Sequence, residues 1–500
     1  MSNSISEPTI AALKDTNFRD KNHTHLRRTK IVGTLGPSSS DEATLRELIL
    51  SGLNIARLNF SHGEHSTHLK NIELIRKISR ETGKTVGILQ DLQGPKIRVG
   101  KLINDSMELE AGQTYKLVYG KQQIDPKIIP IDYLGLVHDV QVGDRVMMDD
   151  GLYILEVSQL YDEIAEVKVI EGGRLKNRKG VNFPDSKLSL PAMTDKDSKD
   201  LLFGIANHVD FVALSFVQDP EDIRQIKSMI KALGSDVPVI AKIEKLPAME
   251  QIDEIAQLAD GLMVARGDLG VEASVERVPA FQRKILEAGA KYSKPVIIAT
   301  QMLESMIQNP HATLAEVADV ANGVLDGADC LMLSGEVAAG ANPLKCVRKM
   351  ASIIHEVENW TFRQEPLLGL ISSLPDHYDW DEQESIAVAA CEAAASMNAK
   401  AIVCLTLTGS IARTIAKWRP NSMIIAISPR QEVIHRLSAV WGVYGITNPM
   451  FYNTDILLQE LPEHLKELEC LESGDMVVFT AGIPLNQMKS TNMVKINTIP

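Results

Sequence analysis

Three apolar runs in the middle of the chain each stop at a tight polar cluster. Val239-Ile240-Ala241 leads into Lys242-Ile243-Glu244, Gly261 through Ala265 leads into Arg266-Gly267-Asp268-Leu269-Gly270, and Pro295 through Ala299 ends at Thr300-Gln301. Continuous rather than alternating apolar residues mark strands covered on both faces, as in a parallel sheet. The same rhythm opens the chain. Lys30 to Thr34 reads as a strand, and Ser39 with Glu42 fits a capping box opening a helix with Leu45, Leu48 and Ile49 on one face. A strand and its exit follow at Ile55 to Ser61, then a helix from about Ser66 to Thr82 and a strand from Thr85 to Leu89. The alternation resumes at Val209 to Phe216 and runs to about Trp360, which favours a (β/α)8 TIM barrel with its working residues at the strand C-termini.

From Gln93 the pattern changes to short alternating segments, such as Tyr115 to Tyr119 and Ala165 to Ile170, punctuated by Gly143-Asp144, Asp150-Gly151 and Gly172-Gly173. That texture predicts a compact all-β module inserted into the α/β chain and ending near Leu190-Pro191. Phe362 to Trp380 reads as a linker. Beyond it, a helix from Glu384 to Met397, a strand Ala401 to Leu405, a loop Thr406 to Ser410, a helix from Ile411, and strands Met423 to Ile427, Gly442 to Ile446, Met476 to Thr480 and Met493 to Ile496 predict a small α/β sheet.

A chain of 500 residues is too long for one core, and the expected division is an extension over 1–26, a barrel over 27–92 and 190–360, the β-rich insert over 93–189 and the α/β unit over 361–500. No apolar run approaches the roughly 18 residues of a membrane helix. Met1 to Asn22 holds only Ile10-Ala11-Ala12-Leu13 as an apolar stretch, so a secretory signal is not expected and a cytoplasmic location is. A formal net charge of −13 argues against nucleic acid as a partner, because a polyphosphate needs a basic footprint. Small phosphorylated ligands need only a few cations focused inside a pocket. Cys330, Cys346, Cys391, Cys404 and Cys470 show no metal or redox spacing and are expected to be reduced, buried thiols.

Lys242 and Glu244 lie two residues apart and so share one face of an extended segment. Asp268 adds a second carboxylate from the next strand end, and two carboxylates with several waters are a usual way to hold Mg²⁺ beside a phosphate. Lys242 suits the charge of a transferring phosphoryl group, while Gly267 and Gly270 flanking Asp268 would let backbone N–H groups approach a substrate carboxylate. Thr300 supplies a hydroxyl. Each fragment alone reads better as a solvated strand edge or a turn; three in succession point to a site. Arg57, Asn59 and Ser61 form a second line at i, i+2 and i+4: a phosphate fork followed by neutral oxygens suited to a weakly held cation, with Asp91 at another strand end able to complete such a pocket. Taken alone, these residues also fit an exposed strand end before His62-Gly63.

At these positions the sequence resembles a known family. Lys30 through Ser38 (KIVGTLGPS), Ala56 through Gly63 (ARLNFSHG), Asp91 through Arg98 (DLQGPKIR), Met263 through Gly270, Thr300 through Met306 (TQMLESM) and Asp319 through Glu336 are similar, in order along nearly the whole chain, to pyruvate kinases of the bacterial type. The resemblance implies a catalytic barrel, a β-barrel-like lid and a regulatory C-terminal α/β domain. It implies transfer of the phosphoryl group of phosphoenolpyruvate to ADP, giving ATP and pyruvate in the last step of glycolysis. Lys242 would then stabilise the phosphoryl group in flight, Glu244 and Asp268 would hold Mg²⁺ (or Mn²⁺), and Arg57 would grip the phosphate. Gly267 and Asp268 N–H groups with Thr300 would bind the carboxylate, and Thr300, through ordered water, would lie on the proton path. Thr34, Pro37, His62, Arg98 and Lys179 resemble nucleotide contacts, and Asn59, Ser61, Asp91 and the Leu92 carbonyl a monovalent-cation pocket. Thr406, Thr408, Gly409 and Ser410 resemble an effector-phosphate loop for a sugar phosphate or nucleotide monophosphate, although a simple helix cap reads the same way. A homotetramer is the family expectation.

The sequence departs from the family pattern at Lys96, where K⁺-requiring members carry glutamate; a fixed ammonium there predicts activity without K⁺. Pro310 through Glu316 and Val337 depart near what in the family is a subunit contact, and Ile411 replaces a second hydroxyl in the effector loop. Two rival functions are a barrel lyase acting on phosphoenolpyruvate or an enolate, and an inactive ligand sensor. The first needs neither the lid nor Lys242. The second conflicts with intact Arg57, Lys242, Glu244, Asp268 and Thr300.

Overall fold

The computed structural model describes residues 27–361, 380–447, 461–463, 465–466, 471–484 and 490–500. The predicted linker Phe362 to Trp380, apart from Trp380 itself, and the extension over 1–26 lie outside the described residues, as does Cys470. By internal contacts the chain divides into two compact units, one of residues 1–90, 204–212 and 289–500, the other of residues 91–203 and 213–288.

Eight strands close into a barrel: β1 (Lys30–Thr34), β2 (Ile55–Asn59), β3 (Gly87–Asp91), β4 (Phe211–Leu214), β5 (Val239–Ile243), β6 (Gly261–Ala265), β7 (Val296–Ala299) and β8 (Cys330–Leu333). Their order around the barrel is their order in the chain, with β8 beside β1, the (β/α)8 arrangement expected from the sequence. Every residue of β1, β3, β4, β6, β7 and β8 is buried, which is why these segments carry no alternation. Helix α1 (Glu42–Leu50) buries Leu45, Leu48 and Ile49 as its periodicity predicts, but its cap is Asp41, whose carboxylate accepts from Thr44 N at 3.0 Å. Ser39 instead turns its hydroxyl to Gly36, accepting from Gly36 N at 3.0 Å, so the predicted Ser39–Glu42 box does not form. The predicted third strand sits two residues later than expected, and α2 runs His65–Thr82.

In the first unit, the C-terminal sheet has the order β11-β10-β9-β12-β13, from β9 (Ala401–Leu405), β10 (Met423–Ser428), β11 (Val443–Thr447), β12 (Met476–Ala481) and β13 (Met493–Thr498). Only β13 runs antiparallel to its neighbour. Ile402 and Cys404 pack into one core and Ala401 and Val403 into another, the two faces of one strand. Cys330, Cys346, Cys391 and Cys404 are free and buried, and burial raises all four thiols, Cys346 and Cys404 to about 12. They fit the reading as inert core residues.

At the start of β1, the Lys30 ammonium is buried, donates to the Val443 carbonyl at 2.8 Å and lies 4.5 Å from the centre of the Tyr444 ring. Burial, helped by Arg27, pushes its pKa down to about 7 from 10.5, against smaller opposing effects of Cys330, Glu358 and Asp329. The unfolded chain therefore binds the extra proton between about pH 7 and 10.5, and folding becomes more favourable as pH rises through that window. Calorimetry on wild type and Lys30→Met is expected to show the wild type gaining on the order of 2 kcal/mol relative to the variant between pH 7 and 9. A pH-independent difference would contradict this.

In the second unit, the β-rich insert holds a six-stranded sheet whose strands, in order, are Val181–Asn182, Arg145–Met148, Tyr153–Leu160, Ile164–Glu171, Thr114–Tyr119 and Ile128–Ile131, plus a two-stranded sheet. Here alternation returns: Ala165, Val167 and Val169 face Leu155, Val157 and Leu117 in a core of their own, while the residues between them stay in or near solvent. Gly172 is required by close approach, since a Cβ there would lie 1.9 Å from the Leu109 carbonyl oxygen.

Candidate active site

In the second unit, the ends of β3, β4 and β5 and the start of the helix after β6 bring charged groups together. Lys242, next to last in β5, places Nζ 3.2 Å from Asp91 Oδ1, 3.1 Å from Glu244 Oε1 and 2.7 Å from Ser215 Oγ. Asp91 and Glu244 are each 1 % exposed, so one ammonium is held between two carboxylates taken almost wholly out of water. Glu244 Oε2 also accepts from Phe216 N at 2.6 Å. Burial raises the Glu244 pKa to about 7; Lys242 opposes the shift and nearby Asp268 adds to it.

Ser215 escaped the sequence reading. Its hydroxyl accepts from Lys242 and donates to the Leu92 carbonyl at 2.7 Å, and its Oγ lies 3.4 Å from Asp91 Oδ1. The signal was present, since Ser215 follows the apolar run of β4 as Lys242, Asp268 and Thr300 follow or end theirs. The polar atoms assigned to a monovalent pocket are thus engaged here: Asp91 with Lys242 and the Leu92 oxygen with Ser215.

Helix α3 (Arg266–Ala273) starts on the residue after β6, and Asp268 lies in its first turn. Asp268 is therefore helical, and not the turn residue that its fragment alone would allow. Neither Gly267 nor Gly270 takes a left-handed φ, and a Cβ on Gly270 would make only ordinary contacts with Val275 and Val278. Amide donors beside Asp268 come from the helix N-terminus, itself a favourable place for an anion. Lys96 Nζ stands 3.7 Å from Asp268 Oδ1 and 4.0 Å from Asp150 Oδ1. Gly180 leaves room for it, since a Cβ there would come 3.1 Å from Lys96 Cε. In the insert, Lys179 pairs with Asp149 at 2.7 Å, and Arg98 donates to the Arg178 carbonyl at 3.2 Å.

In the first unit, Arg57 donates to Thr34 Oγ1 at 2.8 Å, and Asn59 Oδ1 accepts from Ser61 N at 3.0 Å. Pro37 and His62 are exposed at strand exits. Thr300 and Gln301 take left-handed φ values of 71° and 57°, a strained state for a β-branched residue. Glu336, 2 % exposed, steadies this stretch by accepting from Leu303 N at 3.2 Å and Ser334 N at 2.7 Å, a role the sequence did not reveal. In the C-terminal sheet, Thr406 Oγ1 accepts from Gly409 N at 2.8 Å, and left-handed Gly409 precedes α4 (Ser410–Lys417), placing all four predicted effector-loop residues at one helix start.

Residues 26–347 match the family model "Pyruvate kinase, barrel domain" and residues 384–497 match "Pyruvate kinase, alpha/beta domain". The chain belongs to the pyruvate kinase family. It is 41 % identical over 476 residues to a pyruvate kinase of Staphylococcus aureus (strain MRSA252), covering 95 % of this chain and 81 % of the relative. It is also 41 % identical over 477 residues to one of Staphylococcus saprophyticus, with the same coverage. Among solved structures, a pyruvate kinase from Cryptosporidium parvum matches with a TM-score of 0.89 at 34 % identity, covering 99 % of this chain and 98 % of the other. Membership makes the chain a phosphotransferase that depends on a divalent metal ion. A pair of carboxylates fits that need: burial, with a smaller contribution from the Asp268 charge, raises the Glu244 pKa, and a divalent cation would offset both effects. Among the described residues no helix is long and apolar enough to cross a membrane.

Proposed function

We propose that this pyruvate kinase family member transfers the phosphoryl group of phosphoenolpyruvate to ADP, and that Lys242 is the residue on which the transfer turns. The observation that carries this reading is the half-buried Lys242 ammonium held by the buried Asp91 and Glu244 carboxylates and by Ser215. These partners hold it in place before substrate arrives, as a transition state with charge spread over three phosphoryl oxygens requires. Arg57 grips the phosphate, while the Gly267 and Asp268 N–H groups and the Thr300 hydroxyl take the carboxylate. Glu244 and Asp268 hold Mg²⁺, which supplies charge neutralisation to the phosphate when bound. The Thr300 hydroxyl, fixed by its strained backbone, orders the water that protonates the enolate. Thr34, Pro37, His62, Arg98 and Lys179 serve the nucleotide, the last two from the lid over 93–189, whose closure excludes water. The test is ADP-dependent pyruvate formation from phosphoenolpyruvate in a coupled assay; no ATP formed would reject the reading.

The finer parts of the proposal are a cytoplasmic homotetramer, an effector phosphate at Thr406, Thr408, Gly409 and Ser410, and turnover without K⁺. Lys96, close to Asp268 and Asp150, supports the last of these by supplying a fixed positive charge beside the metal carboxylate. In Tris or tetramethylammonium salts the wild type is expected to keep most of its activity, and Lys96→Glu to lose at least about tenfold unless K⁺ is added. A strict K⁺ requirement in the wild type would refute this.

A further inference from the structure

The lid strand Val181–Asn182 ends at a tie that the roles above do not use. Asn182 Nδ2 donates to Glu272 Oε1 at 2.7 Å, and Lys245 Nζ donates to the same oxygen at 3.2 Å. All three side chains are buried; those of Lys245 and Glu272 are 10 % and 3 % exposed. Lys245 directly follows Glu244, and Glu272 lies on α3 one turn after Asp268, on the same face. The lid reaches α3 at an adjacent point as well. Gly151, in the turn after Asp149 and Asp150, faces Val271, and a Cβ added to this glycine would lie 3.8 Å from either Val271 methyl carbon. The return strand is also tethered on its other side by Val181 N to the Ile97 carbonyl at 3.0 Å.

We propose that Glu272 and Asn182 are positioning residues. Their bond sets where the lid returns to the barrel, so that the lid's nucleotide-facing cations and the Asp268 carboxylate are placed through one helix. The charges explain why Asn182 is the informative end. A buried carboxylate needs its cation, and removing Lys245 would leave Glu272 with one neutral donor. Removing the Asn182 amide leaves the Lys245–Glu272 pair intact and cuts only the lid's hold. This inference rests on the phosphoryl-transfer reading.

The experiment measures kcat and the KM for ADP and for phosphoenolpyruvate separately, on the full chain, for wild type, Asn182→Ala, Asn182→Asp and the swap Asn182→Asp/Glu272→Gln. Asn182→Ala is expected to raise the KM for ADP about tenfold while the KM for phosphoenolpyruvate stays within about twofold and Tm within a few degrees. Asn182→Asp sets two carboxylates against each other and should raise it further. The swap restores a donor–acceptor pair with reversed polarity and should bring the KM for ADP back to within about threefold of wild type. An unchanged KM for ADP in Asn182→Ala, or a swap that rescues nothing, overturns the tie while leaving the phosphoryl-transfer reading standing. A wild type that forms no pyruvate from ADP and phosphoenolpyruvate overturns both.

Discussion

Lys242→Met is expected to lower kcat by at least about a thousandfold, with a much smaller change in the KM for phosphoenolpyruvate. The reason is that the ammonium interacts most strongly with charge that develops only as the phosphoryl group moves, so its loss falls on the transition state rather than on binding. A second consequence follows from burial. Asp91 and Glu244 are each 1 % exposed and would share a pocket with no cation between them. The folded chain then keeps a proton on that pair to higher pH, and metal binding, which must displace it, weakens near neutral pH. Single-turnover kinetics together with Mn²⁺ binding followed by electron paramagnetic resonance would separate the two effects. A variant with unimpaired turnover would remove Lys242 from the chemistry.

Glu244→Gln should separate activity from stability. Activity is expected to fall at least about a hundredfold, because Asp268 alone cannot hold a hard divalent ion beside a phosphate. Thermal stability at pH 6 should not fall with it. The Glu244 pKa is raised to about 7, so at pH 6 the folded wild type already carries the neutral carboxyl, which an amide resembles in size and polarity. Scanning calorimetry at pH 6 and at pH 8 checks this: the Tm of the variant relative to wild type should be higher at pH 8, where the wild type must ionise a buried group, than at pH 6. A variant that melts well below wild type at both values would mean that Glu244 mainly supports the fold. Functional sites commonly hold groups that the fold alone would be more stable without.

Much of the barrel was legible because its strands are short apolar runs with nothing to alternate against. Gly261–Ala265 and Lys30–Thr34 appear in the structure at the residues their patterns mark. The strand-end placement of Lys242, Glu244 and Thr300 was legible for the same reason, since a polar residue closing an apolar run has few places to be except a strand end. What stayed hidden depends on partners distant in the chain. Ser215 acquires a role only when folding sets it against Leu92 and Lys242, and Lys245 and Asn182 only when they meet Glu272. The Ser39 cap failed over a shorter distance: Asp41 stands nearer the helix start, and its carboxylate is the stronger acceptor for the amides there. The left-handed backbone at Thr300 was unreadable on principle, because local preference opposes it and only the surrounding structure, Glu336 included, imposes it.

The seam between Ala265 and Arg266, where strand passes to helix with no loop, limits how such a chain can diverge. One inserted residue there would rotate α3 by about 100° and carry Asp268 and Glu272 away from their partners in a single step. Extra residues at the hairpin tips of the insert would stay local. Gradual change in length is therefore open to the insert and closed to the seam, and new members of such a lineage would diverge through the former.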